Sequence, residues 1–406
     1  MDSEAIASRD ALERAQRLHA EQIVVDSLAP TFTCEMMLTP AMVDLARSLQ
    51  SRGKTRSAIR TALAEYLIEA ASTDPATREA YLAFWRRAGV VAASCTLYDS
   101  GPPEQAWDDA LTELARGTRL IRALNGAFVQ GDSAATIEQA YREGRHAVIY
   151  NLQNAEPIGE QFGRIDLLYN LGVRIVQVAY NLRNRFADGC VERRDGGLSR
   201  FGEALVERLN RRRILIDLSH CSDRTALDVI AASQAPAAFT HTSARAISQH
   251  ARGKTDEAFR AIAERGGYIG ILIVPFFLMP PGGDGRAATP GLPPGWATLD
   301  TVVDHVVHVL NLVGSDSVGI GTDWGKPYYT AIRWSADMVR EQTSSFDWVG
   351  WRPQDRFDPN LQTQGLETWD LWPNLTAALL RRGIPEPTVA KIVGGNFLRV
   401  FRDVCG

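Results

Sequence analysis

The chain predicts an α/β fold, a (β/α)8 TIM-type barrel, and three observations carry that expectation. Eight short runs rich in β-branched residues recur along the 406 residues. Helical stretches separate them, so strand and helix alternate as they do around a parallel sheet. Most runs are nearly continuous in apolar residues, the pattern of a parallel strand buried on both faces. Eight such repeats favour a closed barrel over an open doubly wound sheet. The length suits one barrel spanning 1–406 with insertions, and an apolar content of 45% is ample for its core.

The strands are expected at 22–29, 89–97, 147–153, 173–180, 213–219, 236–241, 267–274 and 317–322. Between them lie amphipathic helices. In the helix expected from Asp256 to Arg265, Phe259, Ile262 and Ala263 form one stripe, and Gly266-Gly267 ends it. Two segments depart from the repeat. Residues 35–86 read as a helical insertion after strand one, Arg-rich from Arg47 to Arg60. Residues 325–367 read as a long polar, Trp- and Pro-rich loop after strand eight, with Trp334, Trp348, Trp351 and Trp372 in or near it. Loops after barrel strands line the mouth, so both are candidate lids, and peripheral packing is an equal account of the first.

Composition narrows the functional classes. A formal net charge of -4 provides no basic footprint, which argues against nucleic acid or an anionic membrane surface as partner. No run approaches the roughly 18 apolar residues of a membrane span. The opening Met1-Asp2-Ser3-Glu4-Ala5 is acidic, unlike a secretory signal. Five scattered cysteines without CxxC spacing fit reduced thiols. The expectation is a soluble, cytoplasmic protein.

Barrel active sites lie at the C-terminal strand ends. Those ends carry Leu28 and Pro30, Cys95, Gln153, Tyr180, His220, His241, Pro275 and Asp323. One histidine ending a strand is ordinarily a hydrogen-bonded structural group. His220, His241 and Asp323 at three strand ends of one barrel would converge, and they make a workable zinc or iron ligand set. Cys95 and Cys221 have no activating partner in sequence and read as buried, inert thiols. His19, His146, His250, His305 and His308 read as surface or core histidines. Asp26 shares the face of Leu28 one pleat deeper and reads as a buried hydrogen-bonding group.

Five stretches together resemble the renal (membrane) dipeptidase family of zinc peptidases. They are Ile216 to Ser222, Phe239 to Arg245, His250-Ala251-Arg252 with Asp256-Glu257, Gly319 to Asp323, and Gly394 to Arg399. The resemblance implies a (β/α)8 barrel, two zinc ions bridged by a glutamate, hydrolysis of dipeptides with a free carboxylate, and a possible homodimer. It makes His220 and His241 the two histidines of one zinc site, Asp323 the proton-handling acid, and Arg252 the grip on the substrate carboxylate. It also shows losses. The His-x-Asp pair of the other zinc falls on Leu28 and Pro30, the bridging glutamate on Gln153, and a substrate-binding histidine on Tyr180.

The replacements at Leu28, Pro30 and Gln153 remove two carboxylates and one imidazole from around the metals, so a two-zinc site is not expected. Two options stay open. One zinc could sit on His220, His241 and Asp323. Alternatively, with no metal, those residues and Tyr180 do acid–base work. Function divides accordingly. The first reading is a dipeptidase-like hydrolase acting on a small peptide-like amide, with Arg252, Tyr180 and Gln153 binding the substrate. The second is a repurposed barrel enzyme performing elimination, isomerisation or tailoring on a peptide- or amino-acid-derived molecule. The third is an inactive binding protein.

Overall fold

The computed structural model describes residues 3–279, 297–327, 331, 332, 355 and 357–406. Among these residues the sheet has nine strands, all paired in parallel: β1 (Val25–Asp26), β2 (Ala92–Tyr98), β3 (Phe128–Gln130), β4 (His146–Leu152), β5 (Val173–Gln177), β6 (Leu215–Asp217), β7 (Ala238–Thr242), β8 (Tyr268–Ile271) and β9 (Val318–Ile320). Eight of them run in the order β1-β2-β4-β5-β6-β7-β8-β9, while β3 pairs with β4 off that path. Two backbone bonds draw the first and last strands together. Ser27 N–H donates to Ile320 O at 3.1 Å, and Asp323 N–H donates to Leu28 O at 2.7 Å. The expected barrel is therefore present, with each predicted run supplying one wall strand. Most of the regular strands are shorter than the apolar runs that predict them.

The centre of the barrel is narrow, and small residues make it so. A Cβ added to Gly321 would lie 2.0 Å from Thr240 O, and one added to Gly270 would lie 2.2 Å from the same oxygen. The Ser27 hydroxyl also donates to Thr240 O, at 2.6 Å. Asp26 is fully buried, as its position in the sequence suggests. Its carboxylate accepts from Thr322 N–H at 2.9 Å, the Thr322 hydroxyl at 2.6 Å, Trp369 Nε1 at 2.8 Å and Trp372 Nε1 at 3.2 Å. Burial nevertheless pushes its pKa up to about 6. Trp372, expected near a mouth loop, is thus committed to this buried network at the start of helix Trp372–Arg381. Trp334, Trp348 and Trp351, and with them most of the expected loop, lie outside the described residues.

Residues 35–86 take in helices Pro40–Ser51 and Arg56–Thr73 and all but the end of helix Pro75–Ala88. Local signals set each start. The Thr39 side chain accepts from Met42 N–H, Thr55 from Ala58 N–H, and Asp74 from Ala76 and Thr77 N–H. Pro40 and Pro75 stand at first helical positions, where no N–H is needed. The helix expected near 256–265 runs Asp256–Glu264, capped by Thr255 and followed by Gly266 at φ +71°. No helix among the described residues is long and apolar enough to cross a membrane.

Candidate active site

The two strand-end histidines are placed by a buried carboxylate. Asp217, at the end of β6, accepts from Ser219 N–H at 3.1 Å, the Ser219 hydroxyl at 2.6 Å, Thr240 N–H at 3.0 Å and the Thr240 hydroxyl at 2.7 Å. This ties the turn bearing His220 to β7, which bears His241. The hydrogen-bond partners then assign the ring protons. The Thr240 hydroxyl gives its hydrogen to Asp217, so it accepts from His241 Nδ1–H at 2.8 Å. His220 Nδ1–H donates to Asn181 Oδ1 at 2.7 Å. Both Nε2 lone pairs consequently face one another, 2.9 Å apart. Burial lowers both histidines well below the usual imidazole range, and the neighbouring Arg252 charge lowers them further. Two neutral rings with facing lone pairs form a donor pair for a proton or a metal cation.

Arg252 lies under this pair. It is fully buried, with Nη1 donating to Ser219 O and Nη2 to His241 O at 2.8 Å. Its fork therefore fastens both histidine-bearing segments from behind, and Arg252 is not among the residues lining the cavity. The resemblance implies a substrate contact at this arginine; its terminal nitrogens donate to the backbone, while its Nε is a buried donor with no hydrogen-bond partner among the described residues.

That cavity opens at the C-terminal ends of the strands, and Gln153, Tyr180, His220 and Asp323 all line it. From the segment after β1 the lining residues are Ala29 and Thr31, while Leu28 and Pro30 are buried away from it. The Tyr180 ring stacks on His220 with centroids 4.0 Å apart and planes 21° apart. Burial holds the Tyr180 phenol well above its usual pKa, so it stays protonated. Gln153 Nε2 donates to the Thr96 hydroxyl at 2.8 Å, which fixes its carboxamide. Asp323 sits in a left-handed backbone conformation, φ +57°, held by its N–H bond to Leu28 O. Burial pushes its carboxyl up to about 6, opposed by the Lys326 and Arg252 charges.

The structure thus brings His220 and His241 into contact and places Asp323, Tyr180 and Gln153 on the same cavity as His220. It does not gather Asp323 with the histidines as the expected third ligand. Among the described residues, no group of three or more His, Cys, Asp or Glu side chains is placed to hold a metal ion. The donor set does not fit two zincs, because Leu28 and Pro30 cannot coordinate and Gln153 offers at most a neutral oxygen. It is also one protein ligand short of the three that a catalytic zinc ordinarily has.

The cavity also contains residues the sequence reading did not single out as site residues: Glu35, Arg56, Arg60 and Lys326. Glu35 is 1% exposed. Burial alone would raise its pKa, but Arg60, Lys326 and Arg56 outweigh that and hold it well below the usual carboxylate range. The available signal was the pair Arg56 and Arg60, four residues apart and so on one helix face. Elsewhere the bland expectations fit. Cys95 and Cys221 are buried thiols, and burial pushes Cys221 up to about 12. His305 is a core histidine with both nitrogens engaged.

With this geometry in view, the similarities to known proteins can be placed. A family model described as membrane dipeptidase (peptidase family M19) matches residues 12–331 and 357–405. A dipeptidase of Claviceps purpurea, tcpJ, is 28% identical over 289 residues, which cover 70% of this chain and 57% of that relative. An amidohydrolase from Pseudomonas aeruginosa superposes with a TM-score of 0.72 at 28% identity, covering 97% of this chain and 99% of that one. A metallopeptidase from Rhodobacter sphaeroides, liganded with a phosphinate mimic of the dipeptide L-Ala-D-Ala, shares the fold with a TM-score of 0.66 at 22% identity, covering 94% of this chain and 99% of that one. The matched family model spans the barrel, both histidine segments and the Asp323 strand end: the chain belongs to the membrane dipeptidase family, peptidase family M19.

Proposed function

We propose that the chain is a dipeptidase-like hydrolase acting on a dipeptide or related small amide with a free carboxylate, in a site taking at most one metal ion. The observation that carries this reading is the convergence of Asp323, His220, Tyr180 and Gln153 on one cavity at the mouth of a barrel of this family. Asp323, with its pKa near 6, is mostly ionised at neutral pH and is suited to take a proton from an attacking water and return it to the leaving amine. Tyr180, kept protonated, and Gln153, fixed by Thr96, are the neutral donors that would orient the amide. Arg252 keeps the histidines in register from behind. His220 and His241 offer two Nε2 donors to one zinc, and among the described residues no third His, Cys, Asp or Glu stands with them.

One observation favours a second reading. Facing Nε2 lone pairs 2.9 Å apart, with an acid of raised pKa lining the same cavity as His220, also make a proton-transfer site for elimination or isomerisation of an amino-acid-derived substrate. Metal content by plasma mass spectrometry on untagged protein, together with a dipeptide cleavage panel, separates the two. About one zinc per chain, lost in His220→Ala along with cleavage, is the result expected for the hydrolase. Absence of cleavage across the panel, with and without added zinc, would overturn hydrolysis and leave the proton-transfer reading.

A further inference from the structure

We infer that the substrate carries a large apolar side chain, seated against an aromatic wall of Phe276, Phe277, Trp324 and Phe357, and that this wall sets the preference among dipeptides. This rests on the proposed function of the same cavity and names its substrate class. The inference begins with location. All four aromatic residues line the cavity that holds His220 and Asp323. Phe276 and Phe277 lie on the short helix Pro275–Leu278, which follows β8. Trp324 comes directly after Asp323 beyond β9, and Phe357 stands further along the chain.

The rings hold one another in place. Phe276 is the hub, and it meets Phe277, Trp324 and Phe357 edge to face, with centroids 4.6, 5.6 and 5.2 Å away. Phe277 packs in turn on the His250 ring, centroids 4.7 Å apart, and on the Arg252 guanidinium, 5.6 Å from the Phe277 centroid. Trp324 Nε1–H donates to Leu361 O at 2.8 Å, so its one polar atom is taken by the backbone and the ring offers the cavity carbon. Phe276, Phe277 and Trp324 are buried, and Phe357 is half-buried. A wall packed in advance needs little further ordering when a side chain settles on it.

The rest of the lining favours an apolar occupant over a charged one. Arg56, Arg60 and Lys326 share the cavity with Glu35, Asp99 and Asp323, so the formal charges balance. Glu35 already pairs with all three cations, at 3.7 Å from Arg56, 3.2 Å from Arg60 and 3.0 Å from Lys326. A charged side chain would leave water for a lining with no net charge to answer it, whereas an apolar one gains by leaving water. Because Trp324 adjoins Asp323 in the chain, a side chain on this wall lies close to the acid that would handle the proton. Contact there bears on the amide being cleaved and so on kcat/KM.

Steady-state cleavage of two dipeptide series by the full chain tests the assignment. One series varies the N-terminal residue before alanine and the other the C-terminal residue after it, through glycine, leucine, phenylalanine, glutamate and lysine. In at least one series kcat/KM is expected to climb from glycine through leucine to phenylalanine by roughly 10- to 100-fold, the range that filling an apolar pocket contributes. Glutamate and lysine at that position should do no better than glycine. Phe276→Leu and Phe357→Ala should each cut the phenylalanine-to-glycine ratio by about threefold or more. The ratio is the readout because a fault in folding lowers both substrates together and leaves it unchanged. Phe357→Ala alters the half-buried edge of the wall, so it reports on recognition even if Phe276→Leu fails to fold. A ratio near one in both series, faster cleavage with glutamate or lysine than with phenylalanine, or a preference kept in full by the variants would overturn the inference with the dipeptidase-like reading intact. Failure of wild type to cleave any member of either series, with and without added zinc, would instead remove that reading, and the inference with it.

Discussion

Asp323 has to satisfy its backbone and its chemistry at once. A non-glycine residue at φ +57° carries strain of order 1 kcal/mol, tolerated best by Asn and Asp. Asp323→Gly should therefore melt at or above the wild-type temperature while losing turnover. Asp323→Asn should fold normally and lose about 10²- to 10⁴-fold in kcat, the usual range for removing a general acid–base group. Because the ionised carboxylate is the acting form, kcat/KM in wild type should rise with pH through about 6, and Asp323→Asn should lack that limb. A pH–rate profile on both proteins checks this, and a normal limb in the variant would assign it to another group. The strand-end positions of His220, His241 and Asp323 were legible in sequence because each ends an apolar run, and of the three His220 and Asp323 line the cavity. The backbone contacts of Arg252 were not, since a loop residue has no periodicity to announce them.

At the scale of elements, the barrel wall was legible because burial on both faces leaves little freedom in composition. The short β3, three residues joined only to β4, gave no comparable run and was missed. The insertion was recognised as helical from its own pattern, but its contribution to the cavity is a tertiary fact. Nothing local to Arg56 or Arg60 announces that Glu35 and Lys326 will meet them. The narrow barrel centre leads to a sharper prediction. A methyl group at Gly321 would meet Thr240 O at 2.0 Å and Ser27 Oγ at 2.7 Å. Backbone atoms on a closed sheet yield little, so Gly321→Ala should cost about 3 kcal/mol by overpacking. Urea unfolding of the variant measures it, and a midpoint equal to wild type would mean that the wall relaxes.

Across the whole molecule, buried neutral histidines tie outer elements to one another and to the barrel, which makes stability depend on pH. His19, on helix Ser3–Glu21, places Nδ1 3.2 Å from Ala88 O and Nε2 2.8 Å from the Thr376 hydroxyl, joining three helical segments. His305, on helix Leu299–Val313, accepts from Ala244 N–H at Nδ1, 2.9 Å, and donates from Nε2 to Leu278 O, 3.0 Å. A second proton on His305 would confront the Ala244 N–H that its Nδ1 now accepts. Burial lowers both pKa values from 6.5 to about 4. Between about pH 6.5 and 4 the unfolded chain therefore binds more protons than the folded one, and stability falls as pH falls through that window. Each histidine should remove on the order of 3 kcal/mol by about pH 4, taking 1.36 kcal/mol per pKa unit, and neither should contribute above about pH 7. Urea midpoints at pH 7.5, 6, 5 and 4.5 test this, with His19→Gln expected to flatten the slope by roughly half of the two-histidine contribution. A slope unchanged in His19→Gln would show that the acid sensitivity arises elsewhere, and that this histidine accepts its proton without leaving the junction it makes with Thr376.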